Sequence, residues 1–263
     1  MHLPHAEPPA DPAAQRAADG RRFRRAAGLA VLAVLVLAVA YAVQPAFDVR
    51  LFAVSPGRVE GLVGLATAPL LHGSLEHIVA NGVAVLMLGT LAGWVYPRAA
   101  LRGLPLMWLG SGLGAWLLGD PGSWHLGASG VTHGLMFLVL GLALLRRDRA
   151  AIAASMIGLL FYGGMLLAVL PREPGVSWQS HLGGAAGGLL AAWLFRRLDP
   201  PAPRKRYSWE LEEEQAEREA ERAAAERAQF EPDAPEDVPV LWQRPARDDA
   251  RGTVLRFPPR DRG

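Results

Sequence analysis

Residues 121–149 read PGSWHLGASGVTHGLMFLVLGLALLRRDR. The first 25 of them contain no Asp, Glu, Lys or Arg, and then Arg146, Arg147, Asp148 and Arg149 arrive together. A bilayer core needs about 20 apolar residues of helix, so the run can span and the charges that close it mark water. Working outward, five further runs free of these residues lie at 26–47, 77–97, 103–119, 150–171 and 174–195. Only 14 of the chain's 52 charged residues fall within 26–195, while 38 crowd into the other 93. A soluble core of that size would need far more charge to cover its surface. The segregation excludes a water-soluble enzyme and predicts an all-α, polytopic membrane protein.

The runs predict six transmembrane helices with cores at 26–43, 77–95, 103–118, 129–145, 151–170 and 178–195. Arg21, Arg22, Arg24 and Arg25 precede the first, as in a signal peptide, but that apolar run is too long and lacks a cleavage site, so it reads as an anchor. Placing the N-terminus in the cytoplasm puts 15 Lys/Arg inside, against Arg50, Arg58 and Arg172 outside. Both termini are then cytoplasmic. With 26 Arg to one Lys, the chain is assigned by association to a bacterial inner membrane. Its short basic clusters sit beside apolar segments, so nucleic-acid binding has no support. The absence of cysteine excludes disulfides and thiolate chemistry.

Three regions are expected: a Pro/Ala-rich, disordered 1–22, a membrane domain at 23–197, and a charged tail at 198–263. Within the tail about 208–230 reads as a helix with i,i+4 pairs such as Glu214–Arg218, polar all round as a solvated arm would be, with a partner-binding helix as the second reading. The segment 45–76 is too long for a tight turn and is mildly apolar, as expected of a loop half-embedded in the membrane or serving function.

Polar groups at membrane depth are costly, so each asks for a reason. His72, His77 and Asn81 lie in LLHGSLEHIVAN, the last two on one face of the second span. Gly127-Ala128-Ser129-Gly130 opens the fourth span, and His181 lies near the outer end of the sixth. Gly130 and Gly134 on one helix match Gly184 and Gly188 on the other. Counting spans puts all three helix ends on the same, outer side. Taken singly, each has a bland reading: an interhelical histidine bond, a serine bonded to its own helix, glycine packing. Together they contain the parts of an acyl-transfer site. Glycines beside Ser129 and His181 let two backbones touch, so a nucleophile and a base can meet. The helix start at Ser129, Asn81 and His77 offer donors to a developing oxyanion.

The strings TAPLLHGSLEHIVAN (67–81), GASG (127–130) and HLGGAAGG (181–188) resemble the rhomboid intramembrane serine proteases in order, spacing and span number, over roughly residues 26–197. The resemblance implies a six-helix bundle with a half-embedded first loop. It implies Ser129 as nucleophile, His181 as its base, and the Ser129 N–H, Asn81 and His77 as oxyanion donors, with His72 supporting. It implies no metal, nucleotide or organic cofactor, and substrates that are themselves transmembrane proteins, cut in or near the bilayer beside small residues. Two positions depart from the family pattern. The usual Trp-Arg pair of the first loop is replaced by Val63-Gly64. One turn after the serine, His133 stands where many members place an aromatic ring, and there an imidazole can stack on His181 or hydrogen-bond to it and shift its pKa.

Two other readings compete. One is an inactive rhomboid-like protein that binds membrane clients, although such relatives generally lack the serine or the histidine. The other is a transporter or metal carrier using His72, His77, His125, His133 and His181. It lacks an H-E-x-x-H string and an intramembrane carboxylate beside these histidines.

Overall fold

A computed structural model describes residues 12–171, 175–200 and 208–230. The chain divides into two compact units, residues 1–205 and 206–263. The first contains α1 (Pro12–Val43), α2 (Leu75–Val95), α3 (Pro97–Leu118), α4 (Ser129–Arg146), α5 (Arg149–Tyr162) and α6 (Trp178–Phe195). The second contains α7 (Ser208–Phe230). Among the described residues the only extended pairing is a bridge between Val54 and His125.

Each of the six expected runs overlaps one of these helices. Among the described residues four stretches are long and apolar enough to cross a membrane: Ala13–Ala46, Leu75–Val95, Ser129–Arg146 and Arg149–Leu166. Helices α3 and α6 fall outside that group for a physical reason. Arg98 and Arg102 in α3, and Gln179, Ser180 and His181 at the start of α6, lower their apolarity, while the glycines of both let their backbones approach.

Local chemistry sets the helix ends. The Ser74 hydroxyl caps α2 by accepting the His77 N–H at 3.1 Å. Pro97 opens α3, where its missing N–H costs nothing. Arg147, at φ 55°, turns α4 off in a left-handed conformation, and Asp148 caps α5 through the Ala151 N–H at 2.8 Å. Two expectations change. Helix α1 begins at Pro12, so 12–22 is helical rather than disordered; its alanines and arginines are good helix formers, and Gln15 bonds Asp19 one turn on at 3.0 Å. The part of that expectation covering residues 1–11 lies outside the described residues, as do Arg172 and the tail at 201–207 and 231–263. Helix α5 stops at Tyr162 rather than 170 and continues as a 3-10 turn, Gly163–Leu166, because Gly163-Gly164 is a poor helical pair.

The bundle core is built on α6, which lies between α3 and α4. Its glycines form two rows. A Cβ on Gly187 would come within 3.0 Å of the Met107 Cα of α3, and one on Gly183 within 2.8 Å of the Gly114 Cα. Gly184 and Gly188 press on the backbones of Gly130 and Gly134 in α4. Larger buried side chains, among them Leu88, Tyr96, Met107, Met136 and Leu142, fill the space toward the other end.

That other end is closed by polar bonds. Asp148 accepts from the Tyr96 hydroxyl and from Arg146 Nε, both at 2.7 Å. Arg146 also reaches the carbonyls of Arg196 and Asp199 at 2.6 and 2.8 Å. Burial works to raise the Asp148 carboxyl, but these bonds and the Ala151 N–H outweigh it and hold the group below its usual range. Burial, with the anionic partner, pushes the Tyr96 phenol up.

Helix α7 carries eight Glu and three Arg, and the expected Glu214–Arg218 pair forms at 3.9 Å on exposed side chains.

Candidate active site

Ser129 is the first residue of α4, where backbone N–H groups have no helical partner. The preceding residue, Ala128, offers no side-chain cap for them. The chain reaches Ser129 through Gly127 at φ 114°, a conformation that L side chains rarely adopt. Space demands glycine there too, because a Cβ would sit 2.6 Å from His77 Cε1 and 3.5 Å from Asn81 Nδ2. Gly127 is thus the floor that lets the second span's polar face meet the serine.

His181 lies in the first turn of α6, and its Nε2 is 2.9 Å from Ser129 Oγ. Its other ring nitrogen, Nδ1, is 2.9 Å from the carbonyl oxygen of Ala168. A carbonyl only accepts, so Nδ1 carries the hydrogen and the neutral ring turns its Nε2 lone pair toward the Ser129 hydroxyl, which donates to it. Ala168 can do this because α5 has already ended. No side chain announces a backbone acceptor, and sequence reasoning missed it.

His133 lies parallel to His181, with ring centroids 3.9 Å apart and planes 11° from each other. It is tied to its own helix by Nδ1–H, which donates to the Ser129 carbonyl at 2.7 Å. Asn81 is 5% exposed, and its Nδ2 has no partner. A buried donor left unpaired beside Gly127, two residues before the serine, is poised for an acceptor that arrives with a ligand.

His72 is 1% exposed and held by its backbone. Gln44 bonds both its N–H and its carbonyl at 2.8 Å. Its ring stands edge-on to His77 at 5.0 Å, and the Ala128 N–H points at its Nε2 from 3.5 Å. Burial, with His77 nearby, pushes the His72 imidazole down to about 4. His72 is therefore neutral at pH 7 and free to accept from the loop that carries Ser129.

The structure thus gathers Ser129, His181, Asn81, His77, His72, His133 and Gly127 at one end of the bundle. Gly130 and Gly184 lie one layer beneath and Gly188 one turn further in. The first-loop departure has a steric reason. A Cβ on Gly64 would run into the backbone of Ala53 and Val54, so an arginine has no room there. Two indoles of α3 anchor the loop instead: Trp108 Nε1 donates to the Ala66 carbonyl at 3.1 Å and Trp116 Nε1 to that of Arg58 at 2.9 Å. Among the described residues no three His, Asp or Glu side chains group as metal ligands would. Both ring nitrogens of His181 and of His125 are already engaged.

A family model described as "Rhomboid domain" matches residues 59–198. The chain is 39% identical over 155 residues to uncharacterized proteins of Mycobacterium tuberculosis and Mycobacterium bovis, covering 54% of this chain and 62% of each relative. It is 37% identical over 145 residues to an uncharacterized protein of Mycobacterium leprae, covering 52% of this chain and 57% of the relative. The chain therefore spans about three fifths of the length of these relatives.

Proposed function

The chain belongs to the rhomboid family, and from that premise we propose that it is an intramembrane serine endopeptidase that cuts transmembrane proteins through a Ser129–His181 pair. The observation that carries the reading is the 2.9 Å contact between His181 Nε2 and Ser129 Oγ, with the opposite ring nitrogen committed to the Ala168 carbonyl.

The chemistry follows from those atoms. Ser129 Oγ attacks the scissile carbonyl carbon as its proton passes to His181 Nε2. The electron pair of the C=O bond moves to oxygen. That oxyanion is met by the Ser129 N–H at the start of α4, the unpaired Asn81 amide and His77. The imidazolium returns its proton to the leaving amine as the C–N bond breaks, giving an acyl-enzyme. Water then attacks the ester, with His181 again taking and returning the proton. The Ala168 carbonyl holds the ring and its tautomer as a triad carboxylate would, without a full negative charge to stabilise the imidazolium. Turnover slower than that of carboxylate-assisted serine proteases is the expected consequence.

The excess of basic residues at the Arg146 end supports a membrane orientation with both termini in the cytoplasm, six crossings, and the site opening outward. A bacterial inner membrane is the compartment that goes with this. The test is cleavage of a single-span reporter protein co-reconstituted in proteoliposomes. Cleavage by the wild type that is lost in Ser129→Ala and in His181→Ala supports the proposal. Intact reporter with the folded wild type supports the client-binding alternative.

A further inference from the structure

Among the described residues one buried histidine stands apart from the group gathered around Ser129. His125, in the loop between α3 and α4, is 8% exposed. Its backbone pairs with Val54 of the first loop through two hydrogen bonds, both 2.9 Å. Its ring joins two serines on different segments. Nε2 is 2.9 Å from Ser123 Oγ, and Nδ1 is 2.6 Å from Ser177 Oγ, the cap of α6.

The neighbours assign the hydrogens. The Ser123 hydroxyl donates to the Asp120 carbonyl at 2.6 Å, which leaves its oxygen to accept from His125 Nε2–H. A neutral ring then offers the Nδ1 lone pair, and the Ser177 hydroxyl donates to it. The Ser177 oxygen in turn accepts the Ser180 N–H at 3.4 Å. Each donor points the same way, from Ser180 through Ser177, His125 and Ser123 to Asp120, and such chains reinforce themselves. Sequence position gives the series its meaning: His125 stands four residues before Ser129, and Ser177 four residues before His181.

We propose that His125 is a positioning residue for the Ser129–His181 pair, locking the loop that delivers the serine to the first turn of the helix that delivers the base. The inference rests on the hydrolase reading above. It is distinct from glycine packing deeper in the bundle, because it acts on the segments just outside the two helix starts and requires hydrogen bonds rather than shape.

The experiment is the rate of covalent labelling of the full chain in detergent micelles by a fluorophosphonate probe. The set is wild type, His125→Phe, His125→Gln, Ser177→Ala and the double variant His125→Phe/Ser177→Ala. Phenylalanine fills the space with no donor or acceptor, whereas the glutamine amide keeps one of each. His125→Phe is expected to slow labelling about tenfold or more, and His125→Gln to stay within about threefold of wild type. Ser177→Ala should add little in the His125→Phe background, since both interrupt one series. Equal rates for the Phe and Gln variants, or multiplying effects of His125→Phe and Ser177→Ala, would overturn the proposal in favour of simple packing. If His125→Phe does not fold, Ser177→Ala and Ser177→Thr decide: loss with alanine and recovery with threonine supports the series, and equal rates refute it. An unlabelled wild type overturns the hydrolase reading and this inference with it. A labelled wild type with indifferent variants overturns this inference alone.

Discussion

Gly184→Ala adds a single methyl group at the crossing of α4 and α6. Its Cβ would fall on the Gly130 carbonyl, 2.6 Å from the carbonyl carbon and 3.2 Å from the Cα. Non-bonded carbons settle near 3.5–4.0 Å, so the two helices must part by roughly 1 Å. Neither obstacle is a flexible side chain that could swing away. Ser129 and His181 ride on these same helices, one and three residues from the contact. Their 2.9 Å bond would open toward ~3.8 Å, beyond hydrogen-bonding range. A misplacement of that size costs about 10²-fold in rate, or about 2.7 kcal/mol of barrier. Overpacking should separately lower stability by about 1–3 kcal/mol. The assay is the second-order rate of fluorophosphonate labelling, read beside a thermal melt. Gly28→Ala in α1 is the matched control, because nothing lies within 4 Å of its added Cβ. The expected result is a roughly hundredfold loss at Gly184 and no change at Gly28. Labelling of Gly184→Ala within twofold of wild type would refute the claim that backbone contact sets the Ser129–His181 distance.

Three other outcomes follow from the same geometry. His133→Ala should slow labelling about two- to thirteenfold by removing a ring stack of about 0.5–1.5 kcal/mol, while His133→Phe, which keeps the stack, should stay near wild type; equal losses in both would show that the ring face is not what matters. Asn81→Ala should lower the cleavage rate of the reporter by about 10²–10³-fold with little change in its KM, as for loss of one oxyanion donor, and a change in KM alone would contradict that role. Burial depresses His72 to about 4 and also lowers His125, with Asp120 opposing in the latter. The unfolded chain binds these protons near pH 6.5 and the folded chain does not, so stability rises with pH through that window. The melting temperature should therefore fall from pH 7 to pH 5, and one that rose would contradict buried neutral imidazoles.

Much of this arrangement is legible from residue spacing. Charge segregation locates the helices, and counting the spans puts His77, Asn81, Ser129 and His181 at one end. The spacing of Gly130/Gly134 and Gly184/Gly188 anticipates one helix contact. The second contact was equally visible in principle, since Gly110 and Gly114 of α3 repeat the same spacing opposite Gly183 and Gly187, but a glycine row does not name its partner. The Ala168 carbonyl was not legible, because every residue carries one and only the early end of α5 frees it. His125 reads from sequence as an interfacial residue rather than part of the site, because Ser177 lies 52 residues away and no local pattern ties the two. The Val63-Gly64 pair reads from sequence only as a departure from the family pattern. In three dimensions it is a close backbone crossing, with Trp108 and Trp116 supplying the anchorage from another helix.

The central claim is that Ser129 is a nucleophile activated by His181. Mass spectrometry of the fluorophosphonate-treated protein in detergent tests it most directly. The account predicts one adduct, on Ser129, formed by the wild type and nearly absent in His181→Ala. A folded wild type without an adduct, or an adduct on Ser129 at equal rate in His181→Ala, would contradict it.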